Sequence, residues 1–330
     1  MNNMVELRAR NAILGAMVGD SLGATFEFTK QKQATKKLAQ YNYLSNGLIG
    51  KGPFGLKPGQ FTDDTEIALA IMSVIHEYGY YDQSRVAEKY HEWYNSNPFD
   101  IGNTTKNSLS QNSCSDMIKA SRKYNFGSMS NGSLMRLFGL VPMFYDRVPS
   151  NRTTKFIMKA IQQDIILTHS NPEMVPIAII YGLMLWYAIQ GQNASDVYKY
   201  GKILAEKYHS KLYLSIYLSV DSEYDFFDYN DTKYCLNQID STNFGFVGFS
   251  IWLMLRSLKK HSDYRNAIIE IVSHGGDTDT NACITGALFG ALYHNTIPPI
   301  WIDSVLNCQA VERYQNYHIA DPKIWSQWLP

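Results

Sequence analysis

Toward the C-terminal end of this 330-residue chain, His274-Gly275-Gly276-Asp277-Thr278-Asp279-Thr280 opens into Asn281-Ala282-Cys283-Ile284. Two carboxylates two positions apart, each followed by a threonine hydroxyl, offer the hard oxygen donors that Mg²⁺, Mn²⁺ or Ca²⁺ prefer. The paired glycines let the backbone turn tightly and a ligand come close. Free N–H groups at a helix start could also take a phosphate. The same residues serve equally as ordinary caps, because Asp and Thr stabilise helix starts without any metal. A second stretch favours the metal: Pro58-Gly59-Gln60-Phe61-Thr62-Asp63-Asp64-Thr65-Glu66 repeats this chemistry far upstream, again before a helix.

Other residues could join such a site. Asp20 and Glu27 lie in Gly19-Asp20-Ser21-Leu22-Gly23-Ala24-Thr25-Phe26-Glu27-Phe28. Asp20 reads as solvated or as a cap, whereas Glu27, between two phenylalanines, needs a partner. Asp100, in Phe99-Asp100-Ile101-Gly102-Asn103, reads first as a cap for the next helix, with Gly102 and Asn103 keeping a functional role open. Asn131-Gly132-Ser133 before an apolar segment makes a plausible anion nest, and Arg136 could pair with a carboxylate or a phosphate. His169 reads as a cap or a satisfied polar residue. Thr62 can cap, Glu66 lies three residues after Asp63 in capping-box fashion, and the macrodipole should hold Asp63 and Asp64 ionised in the first turn.

Periodicity supplies the elements that must position these groups. Helices are expected at about 4–19, 63–78, 82–95, 153–167, 174–190, 246–259 and 263–273. Another follows the second Asp-Thr stretch, with Ala282, Gly286, Ala287, Gly290 and Ala291 making it smooth. Gly15, Gly19 and Gly23 form a matching small-residue stripe. Residues 30–60 read as loop and short helix ending in a Gly/Pro-rich run that could act as a flap. Residues 110–130 read as loop, and the acidic, aromatic stretch 221–231 as a surface loop, lid or partner-recognition arm. No segment alternates like a strand. The expectation is an all-α fold, one compact domain over 1–330.

Composition excludes several classes. Net charge is zero and the charged fraction is 18 %, against about 25 % in an average protein, so no nucleic-acid partner is expected. Cys114, Cys235, Cys283 and Cys308 are scattered without CxxC spacing, which suits a reduced, cytoplasmic protein without zinc. The first twenty residues lack a secretory apolar core, and Val175–Ile189 is too short to span a bilayer, so no membrane partner is expected.

The blocks GDSLGATFEF, PGQFTDDTEIAL, FDIGNTTKNSL, SNGSLMR and GGDTDTNACITGALFGALY stand in this order in the chain. Together they resemble the ADP-ribosylglycohydrolase family, in particular its bacterial dinitrogenase reductase-activating glycohydrolase branch, over residues 10–302. The resemblance implies an orthogonal helical bundle holding two Mg²⁺ or Mn²⁺ ions through Thr62, Asp63, Asp64, Asp277, Asp279 and Thr280. It implies catalytic carboxylates at Asp100 and Glu27, with neither singled out as the principal base. Substrate contacts are implied at Gly102, Asn103, Asn131, Gly132, Ser133, Arg136 and His169, and also at Gly276 and Thr278, which stand where close relatives vary. The implied reaction is hydrolysis of the N-glycosidic bond of ADP-ribosyl-arginine on a protein substrate. The rivals are another ADP-ribosyl linkage, such as serine or O-acetyl-ADP-ribose, and an immunity or binding protein partnered with an ADP-ribosyltransferase toxin or its target enzyme.

Overall fold

Small residues on two helices set the axis of the molecule. The computed structural model describes residues 3–40, 46–222 and 244–330. In chain order the helices begin with α1 (Asn3–Ala24), α2 (Gln31–Gln40), α3 (Asp63–Tyr78), α4 (Gln83–Asn95), α5 (Asn103–Leu109) and α6 (Cys114–Tyr124). A run of 3-10 turns from Asn131 to Phe144 leads to α7 (Asn151–Ile165), α8 (Met174–Ile189), α9 (Ala194–Lys207) and α10 (Lys211–Asp221). Then come α11 (Val247–Lys260), α12 (Tyr264–Ser273), α13 (Thr278–Leu292), α14 (Pro299–Leu306), α15 (Val311–Asn316) and α16 (Pro322–Trp325). The fold is all-α. Among the described residues the only β pairings are isolated bridges, and no helix is long and apolar enough to cross a membrane.

Helices α1 and α13 lie antiparallel with their backbones touching. A Cβ on Gly19 would overlap Ala282 O, one on Gly23 would overlap the Asp279 backbone, and Gly286 is closed off by Gly15 O. This contact is the most extensive between any two helices described. The antiparallel course carries the C-terminal end of α1, with Asp20, to the N-terminal end of α13, with Asp277 and Asp279. Two tyrosines lock the pair from outside: Tyr264 Oη donates to Gly15 O at 2.6 Å, and Tyr181 Oη to Ile284 O at 2.8 Å. Tyr181 stands on α8, the apolar helix expected to be interior, and nearly all of α8 is buried.

Helix α3 is fixed from three sides. Its Ala68 carbonyl meets Gly139, where no Cβ would fit. Glu66 does not complete a capping box. Its carboxylate accepts from Arg313 Nε and Nη2 at 2.7 and 2.6 Å and from Trp93 Nε1 at 2.7 Å, tying α15 and α4 to the first turn of α3. The stretch 110–130, expected as loop, contains α6. Its buried face is only Met117, Ala120 and Ser121, too sparse for periodicity to register, while Ser113 caps it by accepting from Asp116 N. The 221–231 stretch lies outside the described residues from position 223 onward.

Candidate active site

The starts of α3 and α13 meet beneath a cleft of about 380 Å³. Asp20, fully buried, organises that meeting. Its carboxylate accepts from Thr62 N and Thr65 N, both at 3.0 Å, and from the hydroxyls of Thr62 and Thr65 at 2.9 and 2.6 Å. Thr62 therefore makes no side-chain cap of its own helix. Asp20, delivered by α1, takes the Thr65 N–H, one of the orphan N–H groups of α3, together with the amide of the N-cap Thr62.

With its amide held this way, the Thr62 hydroxyl lies 3.2 Å from Asp64 Oδ2 and 3.3 Å from Asp279 Oδ2. The Thr280 hydroxyl donates to Asp64 Oδ2 at 3.1 Å. The two Asp-Thr clusters, remote in sequence, thus converge on shared oxygens. Asp277 accepts from Asn131 Nδ2 at 2.8 Å, which joins the Asn131–Ser133 turn to the same site. Glu27, Asp63, Asp100, Asp277 and Asp279 all face the cleft.

Seven carboxyl groups gather here, at positions 20, 27, 63, 64, 100, 277 and 279, and none forms an ion pair with a described Lys, Arg or His. Burial is the main cause of their raised pKa values, and neighbouring charge adds to it in most of them. Glu27 is pushed up to about 9 by burial, then by Asp100 and Asp277. Asp100 rises to about 7 by burial, then by Asp277 and Asp20. Asp20 reaches only about 6, because the Thr65 and Thr62 hydrogen bonds oppose the effect of burial. Asp63, Asp64 and Asp279 lie well above the usual carboxylate range. The expected depression of Asp63 and Asp64 by the helix dipole is thus overturned: burial and like charge outweigh it.

The donor set fits a hard divalent cation. Asp64 Oδ1 and Glu27 Oε2 are buried without a hydrogen-bond partner. Carboxylate oxygens of Asp20, Asp64 and Asp279 lie within 4.8 Å of one another, and so do those of Glu27, Asp100 and Asp279. This acidic cluster can hold a metal ion. Asp20 belongs to the first group by distance, yet two threonines already occupy its oxygens, so it positions rather than ligates.

Several residues read as substrate contacts stand elsewhere. Arg136 is fully buried: its Nε donates to Asp164 Oδ2 at 2.7 Å and its Nη2 to the Asp164 carbonyl at 3.0 Å. Its carboxylate partner is internal, and it supports the Asn131–Ser133 turn from behind through Gly132 O at 3.4 Å. His169, also buried, lies 2.8 Å from Ser130 Oγ through Nε2, and its pKa falls to about 3 through burial and the nearby Arg136 charge. It is neutral and backs the turn. Ser133 is buried beneath the same turn. Thr278 Oγ1 donates to Gly23 O at 2.7 Å, and Gly276 bonds through its amide to Thr29 O. Gly102, Asn103, Asn131 and Gly132 do line the cleft. Asp100 caps no helix, since Gly102 holds the N-cap position of α5. Asp20, expected to be solvated or a cap, is fully buried and caps a helix other than its own, a fate that a single charge between Arg10 and Glu27 in a small-residue helix signals in the sequence.

The ADP-ribosylglycohydrolase family model matches residues 1–327. The chain belongs to the ADP-ribosylglycohydrolase family. It is 93 % identical over all 330 residues, and over the whole of both chains, to a protein of Acanthamoeba polyphaga mimivirus provisionally named ADP-ribosyl glycohydrolase. It is 26 % identical to the ADP-ribosyl-dinitrogen reductase glycohydrolase of Rhodospirillum rubrum, covering 91 % of each chain. It is also 26 % identical to the ADP-ribosylarginine hydrolase Tri1 of Serratia proteamaculans, over 92 % of this chain and 76 % of that one. A solved ADP-ribosylglycohydrolase-related protein complex shares the fold, with a TM-score of 0.67 at 22 % identity over 98 % of this chain and 99 % of that one. As a member of the ADP-ribosylglycohydrolase family, the protein is a hydrolase of ADP-ribosyl linkages.

Proposed function

We propose that the protein removes ADP-ribose from arginine side chains of other proteins, in a reaction that depends on two divalent ions, Mg²⁺ or Mn²⁺. The observation that carries this reading is the meeting of Asp64 and Asp279 at the Thr62 and Thr280 hydroxyls under an acidic cleft. The arginine linkage is supported by likeness to a relative named as an ADP-ribosylarginine hydrolase and by the acidic lining of the cleft, which suits a cationic side chain. Thr62, Asp63, Asp64, Asp277, Asp279 and Thr280 would hold the ions. One dication would leave most of the carboxylate charge uncompensated, which favours two. Such ions supply electrophilic contacts to ribose hydroxyls and an acidified water.

The chain's own residues do the rest. Cleavage at the anomeric carbon builds positive charge on the sugar, which the carboxyl groups lining the cleft would stabilise. The leaving guanidine must gain a proton while water loses one. Glu27 and Asp100 both line the cleft and could exchange these protons through water, with neither singled out as the principal base. Asn131 and Gly132 border the cleft on the side of the turn, where backbone N–H groups suit a pyrophosphate. A single domain over 1–330 and a cytoplasmic setting complete the proposal.

The test is release of ADP-ribose from an ADP-ribosyl-arginine peptide, followed by mass spectrometry, with Mg²⁺ or Mn²⁺ and then with EDTA. Release that stops with the chelator and returns with metal is expected. Full turnover after thorough metal removal would remove the ions from the mechanism. Release only from serine or O-acetyl linkages would remove arginine.

A further inference from the structure

Phe28 and Phe244 line the cleft, and the reaction of ADP-ribose by itself does not require aromatic rings there. Phe28 adjoins Glu27 and Phe99 adjoins Asp100 in the chain, so two acids of the site have a ring as their sequence neighbour. Phe28 is 54 % exposed and Phe99 36 %, unusual for large apolar side chains. Phe54, on the turn closed by Lys51 and Leu56, bridges them, with ring centroids 6.3 Å from Phe28 and 5.4 Å from Phe99. Phe244 lies beside Phe28, nearly parallel to it, at 6.5 Å.

Phe28 is also held at some cost. Its φ is +58°, a left-handed conformation that a bulky residue adopts only when its surroundings impose it. Here the imposing contact is the bond from Phe28 N to Gly276 O at 2.9 Å, one residue before Asp277. The acidic turn of α13 therefore sets where this ring stands. Strain spent on exposing an apolar ring beside a cleft is a mark of recognition.

We propose that Phe28, Phe54 and Phe99 form a collar that receives the cationic guanidino side chain on its way out of the reaction, and so selects an arginine-linked substrate. This rests on the arginine reading above and deepens it. A planar guanidinium stacks on aromatic faces while its N–H groups point to carboxylates. The collar supplies the faces, and Glu27 and Asp100, one residue away from two of its rings, supply the carboxylates. A neutral, non-planar leaving group such as a serine hydroxyl gains little from either. The occupant is thus a cationic planar side chain of a protein substrate, selected by charge complementarity with the acids below.

Phe28→Leu and Phe99→Leu keep apolar bulk and remove the ring, and Phe99→Tyr restores a ring. Both positions in the test are exposed enough for folding to survive, and thermal melting checks it. The expected result is a fall in kcat/KM on an ADP-ribosyl-arginine peptide of about 3- to 30-fold for each Leu variant, from the range of cation–π contacts. Wild-type rates return in Phe99→Tyr, and the Kd for free ADP-ribose, measured by calorimetry, does not change. If wild-type enzyme cleaves the arginine linkage and both Leu variants match it, the collar is overturned and the arginine reading stands. If ADP-ribose affinity falls in step with kcat/KM, the rings bind the nucleotide and the collar is likewise overturned. If wild-type enzyme releases nothing from arginine, the reading fails and the collar fails with it.

Discussion

At the residue scale, the roles of the acids differ because their hydrogen bonds differ. Asp64 keeps one oxygen free of any partner, while Asp20 has both oxygens engaged by threonines. Asp64→Asn or Asp279→Asn should therefore weaken both metal binding and turnover, on the order of 100-fold, read by titration of Mn²⁺ and by ADP-ribose release. Asp20→Asn should act indirectly. Its amide NH₂ would face the Thr62 or Thr65 donors, misplace the start of α3, and cost about 1–2 kcal/mol of stability. A Tm that stays put in Asp20→Asn would remove its capping role. The two classes separate on melting: Asp64 and Asp279 variants should leave the metal-free protein as stable as wild type or more so, because each removes a carboxyl group whose ionisation burial and neighbouring charge oppose.

At the scale of elements, the α1–α13 contact has no spare volume. Gly19→Ala forces a methyl into Ala282 O and should destabilise by about 1–3 kcal/mol, visible in urea unfolding. Gly23→Ala should add a catalytic defect, because the clash falls on Asp279 itself. The Arg136–Asp164 pair holds the Asn131–Ser133 turn from behind, with Tyr90 Oη donating to Asp164 Oδ1 at 2.7 Å. Arg136→Met would strand a buried carboxylate and cost about 3–5 kcal/mol. If Arg136 touched phosphate instead, the same change would raise KM in the folded fraction. Measured below the Tm of the variant, any rise in KM is expected to be small beside the loss of stability, since the turn is also held by Asn131 Nδ2 donating to Asp277.

At the scale of the whole molecule, the gathered carboxyl groups link folding to pH and to metal. Glu27, Asp100 and Asp20 bind their protons more tightly in the folded chain, at about 9, 7 and 6 against 4.5, 3.8 and 3.8 when unperturbed. Groups raised in this way stabilise the fold at acid pH, and that contribution is lost as pH rises through the folded values. In EDTA the Tm should consequently fall between about pH 5 and about pH 8, the reverse of the usual carboxylate trend. Millimolar Mg²⁺ or Mn²⁺ should raise the Tm most at the alkaline end, since the ions bind the ionised form. A metal-free Tm that climbs with pH over that range would mean the carboxyl groups are not buried together.

Much of this was legible before any coordinates. Local rules identify the oxygen-rich helix starts, because residue type and capping position are short-range properties, and the Asp-Thr repeats offer donors that suit either a helix cap or a hard cation. The glycine stripe of α1 and the smooth face of α13 declare that two backbones will touch. What those rules cannot supply is direction across the core. Arg136 turned inward to Asp164, Glu66 to Arg313, and Asp20 to a helix other than its own, because each buried charge takes whichever partner the packing brings near, wherever that partner lies in the chain. The pKa order of the acids likewise depends on burial and on mutual repulsion, and both exist only once α1, α3 and α13 have closed on one another.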